Sequence, residues 1–234
     1  MLEFMNLFIV ATPIGNLHDI TERGREVLCS VPVVFAEDTR VTTKLLQHIG
    51  SKAKLIAYHQ HTDSRRLSEL LDYLETGDVA VVTDAGTPGV SDPGGQLVAA
   101  VYARYADECA IVPIPGPSAV MAAASIAGFP MDEFVFLAYP PHKKGRKTFF
   151  DQVASTKSAV IFFESVHRIT KAMDELVSRD PDRGIVVCRE LTKKFETIER
   201  GTTREVRDKI NKSAQKGEFV LVLAPSSHKR PELK

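Results

Sequence analysis

The stretch 83-TDAGTPGVSDPGG-95 decides how this chain of 234 residues is read. It packs four glycines and two prolines into thirteen residues, with aspartates at 84 and 92 and hydroxyls at 83, 87 and 91. VAVV (79–82) runs directly into it, a short β-branched apolar run of the kind that forms a buried strand. Glycine lets backbone approach a ligand closely, and proline stiffens the loop so that little entropy is lost on binding. One such loop is ordinary turn chemistry. The fold follows from asking which other strands end in loops of the same kind.

Working outward, apolar runs recur at LFIVA (7–11), VPVVFA (31–36), KLIAY (54–58), VAVVT (79–83) and AIVPI (110–114), with helical patterns between them. RRLSELLDYLETG (65–77) keeps leucines at 67, 70, 71 and 74 on one helical face and ends at Gly77, a natural C-cap. Asp92-Pro93 reads as an N-cap with proline at the first helical position, opening the helix GGQLVAAVYARYA. Strands apolar on both faces, alternating with helices, predict a parallel, helix-covered sheet. After PIPGPSA (113–119) a second series begins: FVFLA (134–138), SAVIFFE (158–164), GIVVCRE (184–190) and EFVLVLA (218–224), with helical patterns at 166–178 and 203–215. The expectation is two α/β units, 1–117 and 118–234, the first sheet mostly parallel and the second mixed. No internal repeat or low-complexity tract interrupts them, and the tail SSHKRPELK reads as frayed.

In an open parallel sheet, ligands bind beyond the carboxyl ends of the strands. ATPIGNLHD, EDTR, YHQHTD, DAGTPGVSDPGG and PGPSA follow the five strands in turn, so all five loops are expected on one edge. Three of them are rich in glycine and proline. Neither a dinucleotide-binding fingerprint nor a Walker loop is present, and no nucleophile elbow or zinc-protease helix motif occurs.

Composition frames these loops. The 44% hydrophobic and 26% charged content is ordinary for a soluble globular chain. Cys29, Cys109 and Cys188 are odd in number and far apart, which predicts reduced core thiols rather than a disulfide framework or zinc site. The start MLEFMNLFIVATP lacks a basic leader, and no apolar run reaches membrane-spanning length, so a cytoplasmic protein away from membranes is expected. Net charge is zero, but residues 1–117 hold nine Lys and Arg against fifteen Asp and Glu, and residues 118–234 hold 21 against 15. A half carrying −6 and a half carrying +6 either pair with each other or offer a basic face to an anionic partner. HKKGRK (142–147) places four cations in six residues within a span, Glu133 to Asp151, that holds no other acid.

Two further clusters offer metal-ligand types. His59, His61 and Asp63 lack a third ligand group, and the acids Glu37, Asp38, Asp84 and Asp92 lack the lysine loop that accompanies magnesium-dependent phosphoryl transfer. No metal is expected.

The runs 7-LFIVATPIGNLHDIT-21, 35-FAEDTR-40, 83-TDAGTPGVSDPGG-95, 113-PIPGPSA-119, 162-FFESVHR-168, 189-RELTKKFE-196 and 217-GEFVLV-222 closely resemble the tetrapyrrole methylase superfamily, class III among methyltransferases. Within it they are most similar to the family of ribosomal RNA small-subunit methyltransferase I. That family 2′-O-methylates a cytidine of 16S ribosomal RNA, with S-adenosylmethionine as donor. The motifs keep the family's order over nearly the whole chain. Where family members often read SDAGTPLISDPG and FYESPHR, this sequence has TDAGTPGVSDPG and FFESVHR, and it stops short of the further helical segment many members carry.

The resemblance implies a homodimer, a small-ribosomal-subunit partner and a donor cleft between the two halves. It implies donor contacts at Pro13, Ile14 and Gly15, at Asp84, Gly86, Thr87, Val90 and Ser91, and at Ser118 and Ala119, with Phe163 as an adenine wall. Candidates to activate a ribose hydroxyl are Glu37, Asp38 and Arg40, and Glu164, His167 and Arg168. Glu37 or Asp38 reads equally well as a helix cap, and His167 as a surface residue. Lys143, Lys144, Arg146 and Lys147 are the RNA-binding candidates. Two other classes stay open: a methylase of a tetrapyrrole, and a module that binds donor or RNA without turnover.

Overall fold

The computed structural model describes residues 5–59, 62–212 and 217–228, and the chain divides into two compact units, Met1–Ser118 and Ala119–Lys234. His61, the end of the 203–215 helical pattern and part of the SSHKRPELK tail lie outside the described residues.

The first unit is a five-stranded sheet in the order β3-β2-β4-β1-β5, with β1 Met5–Val10, β2 Val33–Ala36, β3 Lys54–Ala57, β4 Val79–Val82 and β5 Cys109–Ile114. Every pairing is parallel, and every residue of β2 and β4 is buried, as continuous apolar runs require. Helices α1 (Glu22–Ser30), α2 (Thr39–Ile49), α3 (Ser64–Leu71) and α4 (Gly95–Tyr105) make the connections. Two buried clusters form the core of this unit, one around Leu7, Phe35, Leu70 and Val81 and one around Val10, Val34, Leu46 and Val82.

Two helix boundaries differ from expectation. The leucines at 67, 70, 71 and 74 are all buried, but α3 stops at Leu71. From there the backbone tightens to i−3 hydrogen bonds, as in Glu75 N to Asp72 O and Thr76 N to Tyr73 O, and Gly77 caps this 3-10 turn. Helix α4 begins two residues after Pro93, with Gly94 as its N-cap. The Pro93 carbonyl accepts from Gly89 N at 3.1 Å, so proline closes the preceding loop and does not open the helix.

The second unit holds a mixed sheet in the order β6-β7-β10-β8-β9: β6 Phe134–Phe136, β7 Ala159–Ser165, β8 Gly184–Arg189, β9 Thr197–Thr202 and β10 Glu218–Leu223. Only β6 and β7 run parallel; the other pairs are antiparallel. Helix α5 (Ala119–Ser125) precedes this sheet, and α6 (Arg146–Ser155), α7 (Ile169–Val177) and α8 (Thr203–Lys212) lie within it in sequence. Strand β9, TIERGT, carries no apolar pattern; among the described residues it is an edge strand paired only with β8. Helix α6 takes up Arg146 and Lys147, the last two cations of HKKGRK. The core of the second unit centres on Phe150, Phe162, Met173 and Leu221.

All three cysteines are free. Cys109 and Cys188 are buried, and burial pushes the Cys188 thiol up to about 11, whereas Cys29 is exposed on α1 and is not the core thiol expected. Among the described residues no helix is long and apolar enough to cross a membrane.

Candidate donor site and the basic loop

Parallel pairing puts the carboxyl ends of β1 to β5 on one edge of the first sheet. Backbone hydrogen bonds join the loops that leave β1 and β4. Thr12 and Gly86 form an antiparallel bridge, with Thr12 N to Gly86 O at 2.9 Å and Gly86 N to Thr12 O at 3.0 Å. The buried Thr12 hydroxyl donates to Thr83 O at 3.1 Å. The loop after β5 joins them, because the Thr87 hydroxyl donates to Pro117 O at 3.2 Å. Pro13, Ile14, Gly15, Gly86, Thr87 and Ser118 therefore belong to one knot of chain.

Gly86 sits at φ +85°, a conformation that favours glycine. A Cβ there would stand 3.6 Å from Ile14 Cγ2 and 3.9 Å from Pro117 O, filling the space between the loops. Gly94 is stricter still, since its φ is +148° and a Cβ would lie 2.8 Å from Gly89 N. The same loop leaves Val90 exposed and holds Ser91 at φ +64°. The Thr83 hydroxyl, buried at the root of the loop, has no hydrogen-bond partner among the described residues.

Beside this knot, β2 and β4 bring an acidic group together. Asp38 N donates to Asp84 Oδ1 at 2.9 Å, and Asp84 N lies 3.4 Å from Glu37 Oε2. Partial burial pushes the Glu37 carboxyl above its ordinary range; the Asp84 N–H opposes that shift and the Asp84 charge adds to it. Asp84 is open to solvent on one side, yet loss of water on the other raises its pKa too, against the Asp38 N–H. Asp38 behaves differently. It caps α2 by accepting from Arg40 N, and the Arg40 guanidinium at 2.6 Å holds its carboxyl well below the usual range. Asp63 likewise caps α3, and among the described residues no group of His, Cys, Asp and Glu is placed to hold a metal.

The second unit treats its motif residues otherwise. Glu164, at the end of β7, is fully buried. Its Oε2 accepts from Arg146 Nη2 at 3.2 Å, and its Oε1 lies 3.0 Å from Arg168 Nε and accepts from Ser165 N at 2.8 Å. Arg146 is only 5% exposed and lies over the Phe150 ring. A side chain so placed is an internal anchor, which corrects the expectation that Arg146 faces RNA. Lys143, Lys144 and Lys147 are exposed, as is His167. Phe163 packs between Phe136 and Tyr139, with ring centroids 5.1 and 5.3 Å away. Ala119 opens α5.

Sequence reasoning passed over Thr12, Thr83 and Pro117, whose backbone and hydroxyl groups make the knot. Their signal was a hydroxyl residue within two positions of the end of each of two adjacent strands.

Comparison with known proteins bears on what binds at this edge. Residues 6–207 match the family described as tetrapyrrole (corrin/porphyrin) methylases. The chain belongs to the tetrapyrrole methylase family. It is 42% identical over 233 residues to ribosomal RNA small subunit methyltransferase I of Escherichia coli O157:H7, covering 97% of this chain and 79% of that protein. The protein of the same name from Halalkalibacterium halodurans is 38% identical, covering 95% and 77%. Among solved structures, a cobalt precorrin-4 methyltransferase of cobalamin biosynthesis superposes with a TM-score of 0.70 at 21% identity, covering 94% of this chain and 95% of that one. Diphthine synthase gives 0.69 at 15% identity, covering 95% and 91%. These two establish the fold. The methyl donor of this tetrapyrrole methylase is S-adenosylmethionine. The edge fits it: the absence of a side chain at Gly86 leaves backbone open to close approach beside Ile14 and Pro117, and Glu37 and Asp84 offer acceptors for an ammonium or a ribose diol.

Proposed function

We propose that the protein methylates the 2′-hydroxyl of a cytidine in 16S ribosomal RNA. The observation that carries the reading is 38–42% identity, over nearly the whole chain, to proteins named ribosomal RNA small subunit methyltransferase I. When bound, S-adenosylmethionine supplies an electrophilic methyl group on a sulfonium. The chain's own residues do the rest. Pro13, Ile14, Gly86, Thr87, Val90 and Ser118 form the donor seat, in loops that hydrogen bonding to neighbouring loops holds ready. Positioning of donor and acceptor is worth ~7–11 kcal/mol of barrier in favourable cases.

A ribose hydroxyl is a weak nucleophile and gains from a carboxylate that takes its proton. Glu37 and Asp84 are the groups whose environment raises their basicity. Asp38, tied to Arg40 and the α2 N-terminus, keeps its neighbours in place. Glu164 is buried and shared between Arg146 and the partly buried Arg168, so these residues serve as framework in this reading. The exposed lysines of HKKGRK are the RNA contacts. The substrate partner is the small ribosomal subunit, the working form a homodimer and the location the cytoplasm, all three resting on the family resemblance.

The test incubates the protein with methyl-labelled S-adenosylmethionine and small subunits lacking their own 2′-O modifications, then digests the RNA to nucleosides. Label in 2′-O-methylcytidine is expected. Label confined to bases, or to tetrapyrrole acceptors offered in parallel, would contradict the proposal.

A further inference from the structure

The segment between β6 and α6 carries three features that neither the donor seat nor the fold requires. Ala138 takes φ +52°, and its carbonyl accepts from Phe163 N at 2.8 Å. The next residue, Tyr139, is 46% exposed with its ring 5.3 Å from Phe163. Behind it, Phe163 is braced by Phe136. A half-exposed tyrosine supported by a neighbouring ring offers aromatic surface to solvent, and it costs little entropy to order because it is already supported.

The loop that follows is held by buried charge. Arg168 Nη1 donates to Pro140 O at 3.1 Å and Arg146 Nη1 to Pro141 O at 3.4 Å, while Glu164 joins the two guanidiniums from below. Prolines at 140 and 141 fix the backbone further. Exposed on this held loop and the first turn of α6 are Lys143, Lys144 and Lys147, and among the described residues none of the three has an ion-pair partner. The arrangement has a rigid aromatic face followed, within eight residues, by three unneutralised cations.

We infer that residues 139–147 are a pre-organised platform for single-stranded RNA: Tyr139 stacks one unpaired base, Lys143, Lys144 and Lys147 take the adjoining phosphates, and the Glu164–Arg146–Arg168 cluster positions them. The inference rests on the RNA reading above and names the form of RNA that site takes. A duplex keeps its base faces stacked and hidden, so an exposed aromatic face has use only for a splayed base. Lysines on a fixed loop and helix start contact phosphates without reading sequence. Arg146 and Glu164 are positioning residues, since their charged groups are buried.

The test measures binding of a fluorescein-labelled single-stranded oligoribonucleotide, about twelve nucleotides long, and of a blunt RNA duplex of the same length. Anisotropy titrations run at several salt concentrations on the full chain. Tyr139→Ala is expected to weaken single-strand binding roughly 5- to 100-fold with the salt slope unchanged, and to leave duplex binding unchanged. Tyr139→Phe, which keeps the ring, should bind within about twofold of the parent. The triple variant Lys143→Ala, Lys144→Ala, Lys147→Ala should lower the slope of log affinity against log salt by about 2 for the single strand. S-adenosylmethionine affinity, measured by calorimetry, should be the same in all. Tyr139→Ala binding the single strand like the parent would overturn the platform. So would an equal loss on duplex, or a loss of donor binding in place of RNA binding. Oligonucleotide binding that follows these expectations in a protein that methylates no RNA would sink the methylation proposal and leave the platform standing.

Discussion

Two regions of this molecule hold loops at the carboxyl ends of strands, and they do it by opposite means. At the edge of the first sheet the loops after β1, β4 and β5 are joined by main-chain groups and small hydroxyls: Thr12 to Gly86, Thr12 to Thr83, Thr87 to Pro117. Beside β7 in the second sheet, a single buried carboxylate, Glu164, gathers Arg146 and Arg168, which in turn hold the backbone of Pro140 and Pro141. The first device leaves side chains free to meet a ligand but demands glycine where backbone segments touch. The second tolerates ordinary backbone but depends on charge balance out of water. A ligand that needs close approach of peptide groups suits the first; a polyanion that needs fixed cations suits the second.

The largest expected effect comes from unbalancing the buried charge. Glu164→Ala leaves Arg146 and Arg168 facing each other without a carboxylate, and breaking a buried pair this way costs ~3–5 kcal/mol. Urea unfolding should report that loss, with donor affinity in the surviving folded fraction retained. Gly94→Ala comes next. It forces a Cβ to within 2.8 Å of Gly89 N at a φ of +148°, so a loss of ~1–3 kcal/mol and a weaker donor seat are expected from unfolding and calorimetry. Thr87→Val removes one hydrogen bond to Pro117 O and should cost about 1 kcal/mol in stability, with a several-fold rise in KM for S-adenosylmethionine.

The smallest effect has a sign that separates electrostatics from packing. Glu37 has its folded-state pKa raised by burial, so its contribution to stability is fully present below its ordinary value near 4.5 and is lost as pH rises through the folded value. Glu37→Gln abolishes that loss. The variant should match the parent at low pH and become slightly the more stable above it, while methyl transfer falls. Equal stability differences at both ends of the pH range would mean packing, and not charge, sets the environment of Glu37.

Much of the first unit was legible because its strands are short apolar runs buried on both faces, for which a parallel sheet is the available solution. The loops at its carboxyl edge were legible for the same reason, since strand direction alone places them together. What escaped had no local signal. Strand β9 carries TIERGT at a sheet edge, where polar residues are tolerated and no apolar period forms. The start of α4 was misplaced because the Pro93 carbonyl is claimed by Gly89, a partner set by the turn and not by the Asp-Pro pair. Arg146 sits in a run of cations that reads as surface, and its partner Glu164 is 18 residues away on another element. The clue lay with the acid: a carboxylate at the end of the apolar run AVIFFE has to be met by a cation inside the fold.

The central claim is that the three joined loops of the first unit seat the methyl donor. Amide hydrogen exchange of the unmodified protein, with and without saturating S-adenosylmethionine, tests it most directly. The account predicts added protection in segments 12–16, 84–91 and 116–119, with the remaining amides of the first unit little changed. Donor binding that left all three segments unprotected, and slowed exchange elsewhere instead, would contradict it.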